Sequence, residues 1–249
     1  MTRSRLEDPR PVAGDRVAAW MKAKLAERGL TDTDLTASSC EDEGEGPSPA
    51  EQAAQKRIPY DYRHAVASHP QVTAWVNRIA SGAVAPDLGG RGRREIAHGP
   101  SLLLWGPTGT GKTHQAYGAV RALTAAGCAA RWQATTAADL YGAMRPRPGV
   151  DVEHQLRRIV RVPLLLLDDL GAAKPSEWTE EMTFRLLNWR CQNRLPTLIT
   201  TNLPPVRSER IHPQARVLRD MVGDRVLSRL SGMCEAVELT GPDRRYAAA

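Results

Sequence analysis

The chain has 249 residues, of which 41% are hydrophobic, 25% charged and 5% aromatic, and its formal net charge is +6. That composition suits an ordinary globular domain with an appendage, and no apolar run approaches the roughly 18 residues of a membrane span. The four cysteines (Cys40, Cys128, Cys191 and Cys234) stand alone, without a disulfide framework or a CxxC zinc pair, and the opening MTRSRLEDPRPV lacks a secretory apolar region, so a cytoplasmic compartment is expected.

The charge is segregated along the chain. Residues 1–31 carry +3, residues 32–51 carry −7 with no basic group, and the remainder carries +10. A basic body suits a polyanionic partner. Residues 1–30 contain an amphipathic helix at 13–30, with Val17, Met21 and Leu25 on one face beside Trp20, that either packs on the body or docks a partner. Residues 31–56 are acidic and rich in Ser, Gly and Pro, and they read as a disordered linker with too little apolar surface to offset the entropy of ordering. Residues 57–100 form an entry segment. Val72, Trp75, Val76 and Ile79 predict a helix at about 65–80, followed by a glycine-rich loop with the basic run RGRR at 91–94.

Residues 101–249 form the main domain. Short apolar runs at 101–105, 130–134, 163–168, 197–201 and 236–239 alternate with helical patterns at 113–126, 137–144, 151–161 and 176–194. The last of these places Trp178, Met182, Leu186 and Trp189 on one face. Buried strands alternating with helices predict an α/β fold, a parallel sheet covered on both faces.

The segment GPTGTGKT at 106–113 fits the pattern GxxxxGK[ST] directly after a strand and at the start of a helix. Gly106, Gly109 and Gly111 allow the backbone to approach a ligand closely, and with Pro107, Thr108 and Thr110 they form a loop whose N–H groups surround phosphate oxygens. Lys112 is placed to reach the β- and γ-phosphates of ATP, and the Thr113 hydroxyl to coordinate Mg²⁺; His114 follows in the same turn. LLLLDDLG at 164–171 ends a second strand in two carboxylates, Asp168 for the Mg²⁺ shell and Asp169 for the attacking water.

Together with TTN (200–202), GDRVLSRL (223–230) and GPDRR (241–245), these segments resemble the bacterial helicase-loader group of AAA+ ATPases, the DnaC and IstB-like family, from about residue 57 to 246. The resemblance implies a five-stranded P-loop ATPase domain with a reduced C-terminal lid, since only twenty residues follow Arg229, and a small helical N-terminal extension. It implies that Asn202 orients the lytic water and that Arg229 serves as an arginine finger toward a neighbouring subunit, with Arg225 as the competitor. Arg245 then contacts the phosphates within its own subunit, with Arg244 as the alternative. Asp169 stands where many relatives carry Glu, which predicts slow hydrolysis, and 203–222 is longer than the usual connection.

Arg131, Arg145, Arg147, Arg157, Arg158 and Arg161 crowd the segment 131–161. In the resembling family this region faces single-stranded DNA. Arg145, Arg147, Arg157 and Arg158 are therefore the expected phosphate contacts, the alternative being a solvated basic face, and Tyr141 either packs on its own helix or stacks on a base. The expected function is an ATP-dependent loader of a replicative DNA helicase, contacting the helicase through its N-terminal region and forming a homo-oligomer when ATP is bound. The alternative is an IstB-like transposition helper ATPase.

Overall fold

A computed structural model describes residues 49–84, 94–128, 131–209 and 211–245. The chain divides into two compact units, Met1–Gly46 and Pro47–Ala249, and every described residue belongs to the second. The helix expected at 13–30 and most of the acidic stretch lie outside the described residues.

The expected linker ends sooner than residue 56. Pro49–Lys56 is a helix, α1, built largely from strong helix formers and joined to the core through Ala54 and the adjacent Ile58, only 1% and 2% exposed. Its small apolar content hid it, because alanines such as Ala54 seat so short a helix without a large apolar side chain. After a 3₁₀ turn at Tyr60–Tyr62, α2 (Pro70–Ser81) opens on a helix-compatible proline and buries Val72, Trp75, Val76 and Ile79, the face predicted from their spacing.

The body then runs β1 (Ser101–Trp105), α3 (Lys112–Ala125), β2 (Trp132–Thr136), α4 (Ala137–Met144), α5 (Val152–Val160), β3 (Leu164–Asp168), α6 (Glu177–Gln192), β4 (Thr197–Thr201), α7 (Leu218–Met233) and β5 (Cys234–Glu238). The five strands form one parallel sheet in the order β2-β3-β4-β1-β5. Leu102, Leu104, Leu164, Leu166 and Leu198 face a core completed by α2 and α3. Leu103, Leu165, Leu167 and Ile199 face a second core under α4 to α7. Both faces are covered, which is why the central strands read as unbroken apolar runs.

The two edge strands depart from their expected bounds by two residues. β2 is shifted later by its pairing of Trp132 with Leu164, and β5 begins earlier, where Cys234 pairs with Ser101. On α6 the buried side chains are Met182, Thr183, Leu186, Leu187 and Arg190. Trp178 and Trp189 only flank that core. Arg190 is fully buried and donates to Thr197 Oγ1 and to the carbonyls of Val160, Val162 and Pro196, which ties the end of α5 to the starts of β3 and β4. Burial without a counter-charge pushes its pKa down to about 9.

The chain ahead of α2 passes tightly over α3. A Cβ on Gly118 would lie 2.4 Å from the Ala67 nitrogen, so only glycine permits that crossing. Gln115 Oε1 accepts from the N–H groups of Ser68 and His69 at 2.9 and 3.0 Å, which fixes the same segment to the first turn of α3.

Candidate functional site

The loop between β1 and α3 sits at the carboxyl edge of the sheet, where open α/β sheets bind ligands. Gly106, Gly109 and Gly111 all have positive φ, and a Cβ on Gly106 would lie 2.1 Å from the Leu239 carbonyl oxygen. The turn is held by Thr110 Oγ1 donating to the Pro107 carbonyl at 2.9 Å and by the Arg244 N–H donating to the Gly109 carbonyl at 3.0 Å. Lys112, 5% exposed, directs two of its three protons at the carbonyls of Gly106 and Pro107, 2.9 and 2.6 Å away. Burial lowers its pKa, and the carboxylates Asp169 and Asp168 oppose that shift.

The loop opens on a cavity of about 630 Å³ lined by Lys112, Thr113, His114, Asp168, Asp169 and Asn202, among others. The strand order is what assembles it. β4 lies between β3 and β1, so Thr200 reaches the end of β3 from the neighbouring strand, and Thr113 reaches the same carboxylate from the start of α3. Thr113 Oγ1 donates to Asp168 Oδ1 at 3.1 Å, and Thr200 Oγ1 donates to the same oxygen. Thr200 Oγ1 also accepts the Asp169 N–H at 3.0 Å. Asp169 takes a left-handed backbone, φ 54°, and its Oδ1 accepts from Asn202 Nδ2 at 3.1 Å. A chain of polar contacts thus runs Thr113, Asp168, Thr200, Asp169, Asn202.

Burial raises the Asp168 pKa, and the neighbouring Asp169 adds to the rise, against the hydrogen bonds from Thr200 and Thr113. The Thr113 hydroxyl and the Asp168 carboxylate suit a hard cation. Thr113 Oγ1 and Asp168 Oδ1, 3.1 Å apart, are the oxygens that would hold such a cation. No cluster of three or more His, Cys, Asp or Glu suited to a metal occurs among the described residues.

Arg244 and Arg245 both line the cavity. Arg244 runs beside Gly111, while Arg245 Nε lies 3.4 Å from Asp243 Oδ1. The pKa of His114 is lowered by burial and by the charges of Arg244 and Arg121. Tyr62, stacked on Tyr117 with ring centroids 4.7 Å apart, also lines the cavity. Its sequence neighbourhood carries no motif, and only the crossing over α3 brings it there. Thr200 falls within the TTN segment at 200–202, but the sequence assigned a role only to Asn202 and left Thr200 as a β-branched strand residue.

Arg229 and Arg225 lie outside the lining of this cavity. Their guanidinium carbons stand 5.8 and 4.0 Å from the centroid of the Phe184 ring, with Arg225 also 3.4 Å from Glu181. Arg145, Arg147, Arg157 and Arg158 are all exposed. Of the two expectations for Tyr141, packing is the one found, against α6. The tyrosine is 8% exposed, hydrogen-bonds Thr183 through its hydroxyl and meets the Trp178 ring edge-on, because α4 packs against α6. Among the described residues no helix is long and apolar enough to cross a membrane.

Residues 95–247 match the family model described as IstB-like ATP binding protein. A protein of Mycobacterium tuberculosis described as ATP-binding in an insertion sequence is 26% identical over 166 residues, covering 66% of this chain and 62% of its own. The replicative helicase loader DnaI of Bacillus subtilis is 26% identical over 98 residues, covering 38% of this chain and 32% of its own. This chain therefore spans less than two thirds of either relative. A crystal structure of the DnaC helicase loader superposes with a TM-score of 0.53 at 23% identity, over 73% of this chain and 100% of that one. At that identity the likeness establishes the fold, that of the AAA+ P-loop ATPases.

Proposed function

The chain belongs to the IstB-like ATP-binding protein family, and on that premise we propose that it is an ATPase serving DNA transposition, a helper that uses nucleotide state to mark DNA for a transposase. The family match over 95–247 and the similarity to an insertion-sequence protein support this reading ahead of the helicase loader first expected. The loader is the second reading, supported by the similarity to DnaI.

The observation that carries the ATPase itself is the polar chain from Thr113 to Asn202 beside the buried Lys112. In this reading the glycine loop and Lys112 hold the β- and γ-phosphates of ATP. Thr113 and Asp168 hold Mg²⁺, which when bound neutralises charge on the phosphate oxygens. Asp169 accepts a proton from water as its oxygen attacks the γ-phosphorus, and Asn202 fixes the orientation of that carboxylate. The bond to the bridging oxygen breaks, leaving ADP and phosphate. Asp169, shorter than glutamate by a methylene, makes the turnover slow. Arg244 and Arg245 approach the phosphates from the same chain. Arg229 reaches the nucleotide of a neighbouring copy, which makes hydrolysis dependent on assembly.

The test is ATP turnover by the full chain, with and without duplex DNA, beside the Lys112→Ala and Asp169→Asn variants. The expected result is loss of nucleotide binding in the first and retained binding with at least about a hundredfold slower turnover in the second. Full turnover by Lys112→Ala would overturn the assignment. Capture of a transposase encoded beside the gene, against capture of the resident replicative helicase, decides between the two readings.

A further inference from the structure

A second cavity, of about 550 Å³, lies at the opposite edge of the sheet, where β2 and β3 begin. Four arginines from separate segments line it: Arg57 just after α1, Arg131 just before β2, and Arg158 and Arg161 at the carboxyl end of α5. No acidic residue stands among the described residues of its lining. Trp132 lines it too; that side chain is 4% exposed, and its indole N–H is buried without an acceptor among the described residues.

These features favour an anion with several oxygens. Like charges around one concavity with low-dielectric walls focus a positive potential there, and guanidinium forks match phosphate oxygens in pairs. Part of the site is already ordered, because Arg57 Nη1 donates to the Trp132 carbonyl at 2.8 Å and its guanidinium lies 4.9 Å from the indole centroid.

We infer that this four-arginine cavity is a phosphate-binding site separate from the phosphate loop, and that it grips the backbone of a nucleic acid. The inference rests on the DNA-marking part of the proposed function and gives it an address. Five-residue strands separate the two edges of the sheet by about 13 Å or more, so nucleotide and DNA backbone occupy opposite ends of the same strands and do not compete. Of the contacts expected from sequence, Arg158 alone belongs to this cavity. Arg57 enters from a segment that lies 74 residues before Arg131 in the chain.

The test uses the full chain and its Arg131→Gln/Arg161→Gln double variant, with affinity for a labelled duplex measured from about 50 to 300 mM salt. Each lost phosphate contact lowers the slope of log affinity against log salt by about 0.9. The double variant is expected to show a slope shallower by about 2 and roughly ten- to a hundredfold weaker binding near 0.1 M salt, with ATP affinity unchanged. An unchanged slope and affinity would overturn the site while leaving the ATPase reading intact. Absence of DNA binding by the unaltered chain would instead sink the DNA-marking reading. Two competitors identify the source of the anion. Inorganic phosphate that changes tryptophan fluorescence in Lys112→Ala, but no longer once Arg131→Gln and Arg161→Gln are added, while duplex affinity is indifferent to those two changes, would replace nucleic acid by free phosphate. Polyglutamate displacing duplex at equal charge concentration would replace it by an acidic polypeptide.

Discussion

Thr200→Val tests whether one buried hydroxyl organises the carboxylates. The side chain is fully buried, its Oγ1 donates to Asp168 Oδ1, and it accepts the Asp169 N–H at 3.0 Å. Valine keeps the volume and the β-branched shape but removes both bonds. A hydrogen bond to a charged group contributes about 1.5–3 kcal/mol, and a buried donor left without its acceptor costs about 1–3 kcal/mol. Asp168 and Asp169 both border the cavity, so water recovers part of each, and a net loss of about 2–4 kcal/mol is expected. Thr200→Ser keeps the hydroxyl and loses a methyl group, at about 1 kcal/mol. Denaturant unfolding measures the two losses, and ATP affinity and turnover follow from the same preparations. Lys112 contacts neither group that is lost, so ATP affinity should stay within a few-fold, while turnover falls at least tenfold in the valine variant and recovers in the serine variant. A valine variant as stable as serine, with unchanged turnover, would refute the reasoning.

Two further outcomes follow from packing and ionisation. Gly118→Ala places a methyl group 2.4 Å from the Ala67 nitrogen, so the segment carrying Tyr62 must lift from α3. Stability is expected to fall by about 1–3 kcal/mol, with nucleotide affinity weakened in parallel, and an alanine variant that leaves both unchanged would disprove the close crossing. Tyr117, 7% exposed, has its pKa pushed up to about 12, chiefly by burial and then by the charge of Asp168. The folded chain then holds a proton that the unfolded chain releases near pH 10, so this tyrosine leaves stability unchanged below about pH 10 and lowers it between about pH 10 and 12. Unfolding free energies across that range should fall less steeply in Tyr117→Phe, and equal slopes would contradict the assignment.

The class of the fold and the loop proposed to hold phosphate were both legible in the sequence. Unbroken apolar runs such as LLLLD require a strand buried on both faces, and GPTGTGKT specifies its loop through glycines whose positive φ no other residue adopts cheaply. Both are local signals, written in consecutive residues. Helix α1 was less legible because it offers alanines and no large apolar residue, and the sequence left Tyr141 open between packing and stacking because its partner, Thr183, lies 42 positions away. The tertiary structure alone decided what stands beside the phosphate loop. Insertion of β4 between β3 and β1 makes Thr200 the link between Asp168 and Asp169. Gly118 admits the crossing that delivers Tyr62. Four arginines meet at the far edge because α1, β2 and the end of α5 converge there. Long-range pairing decides which strand ends are neighbours, and no spacing along the chain encodes that adjacency.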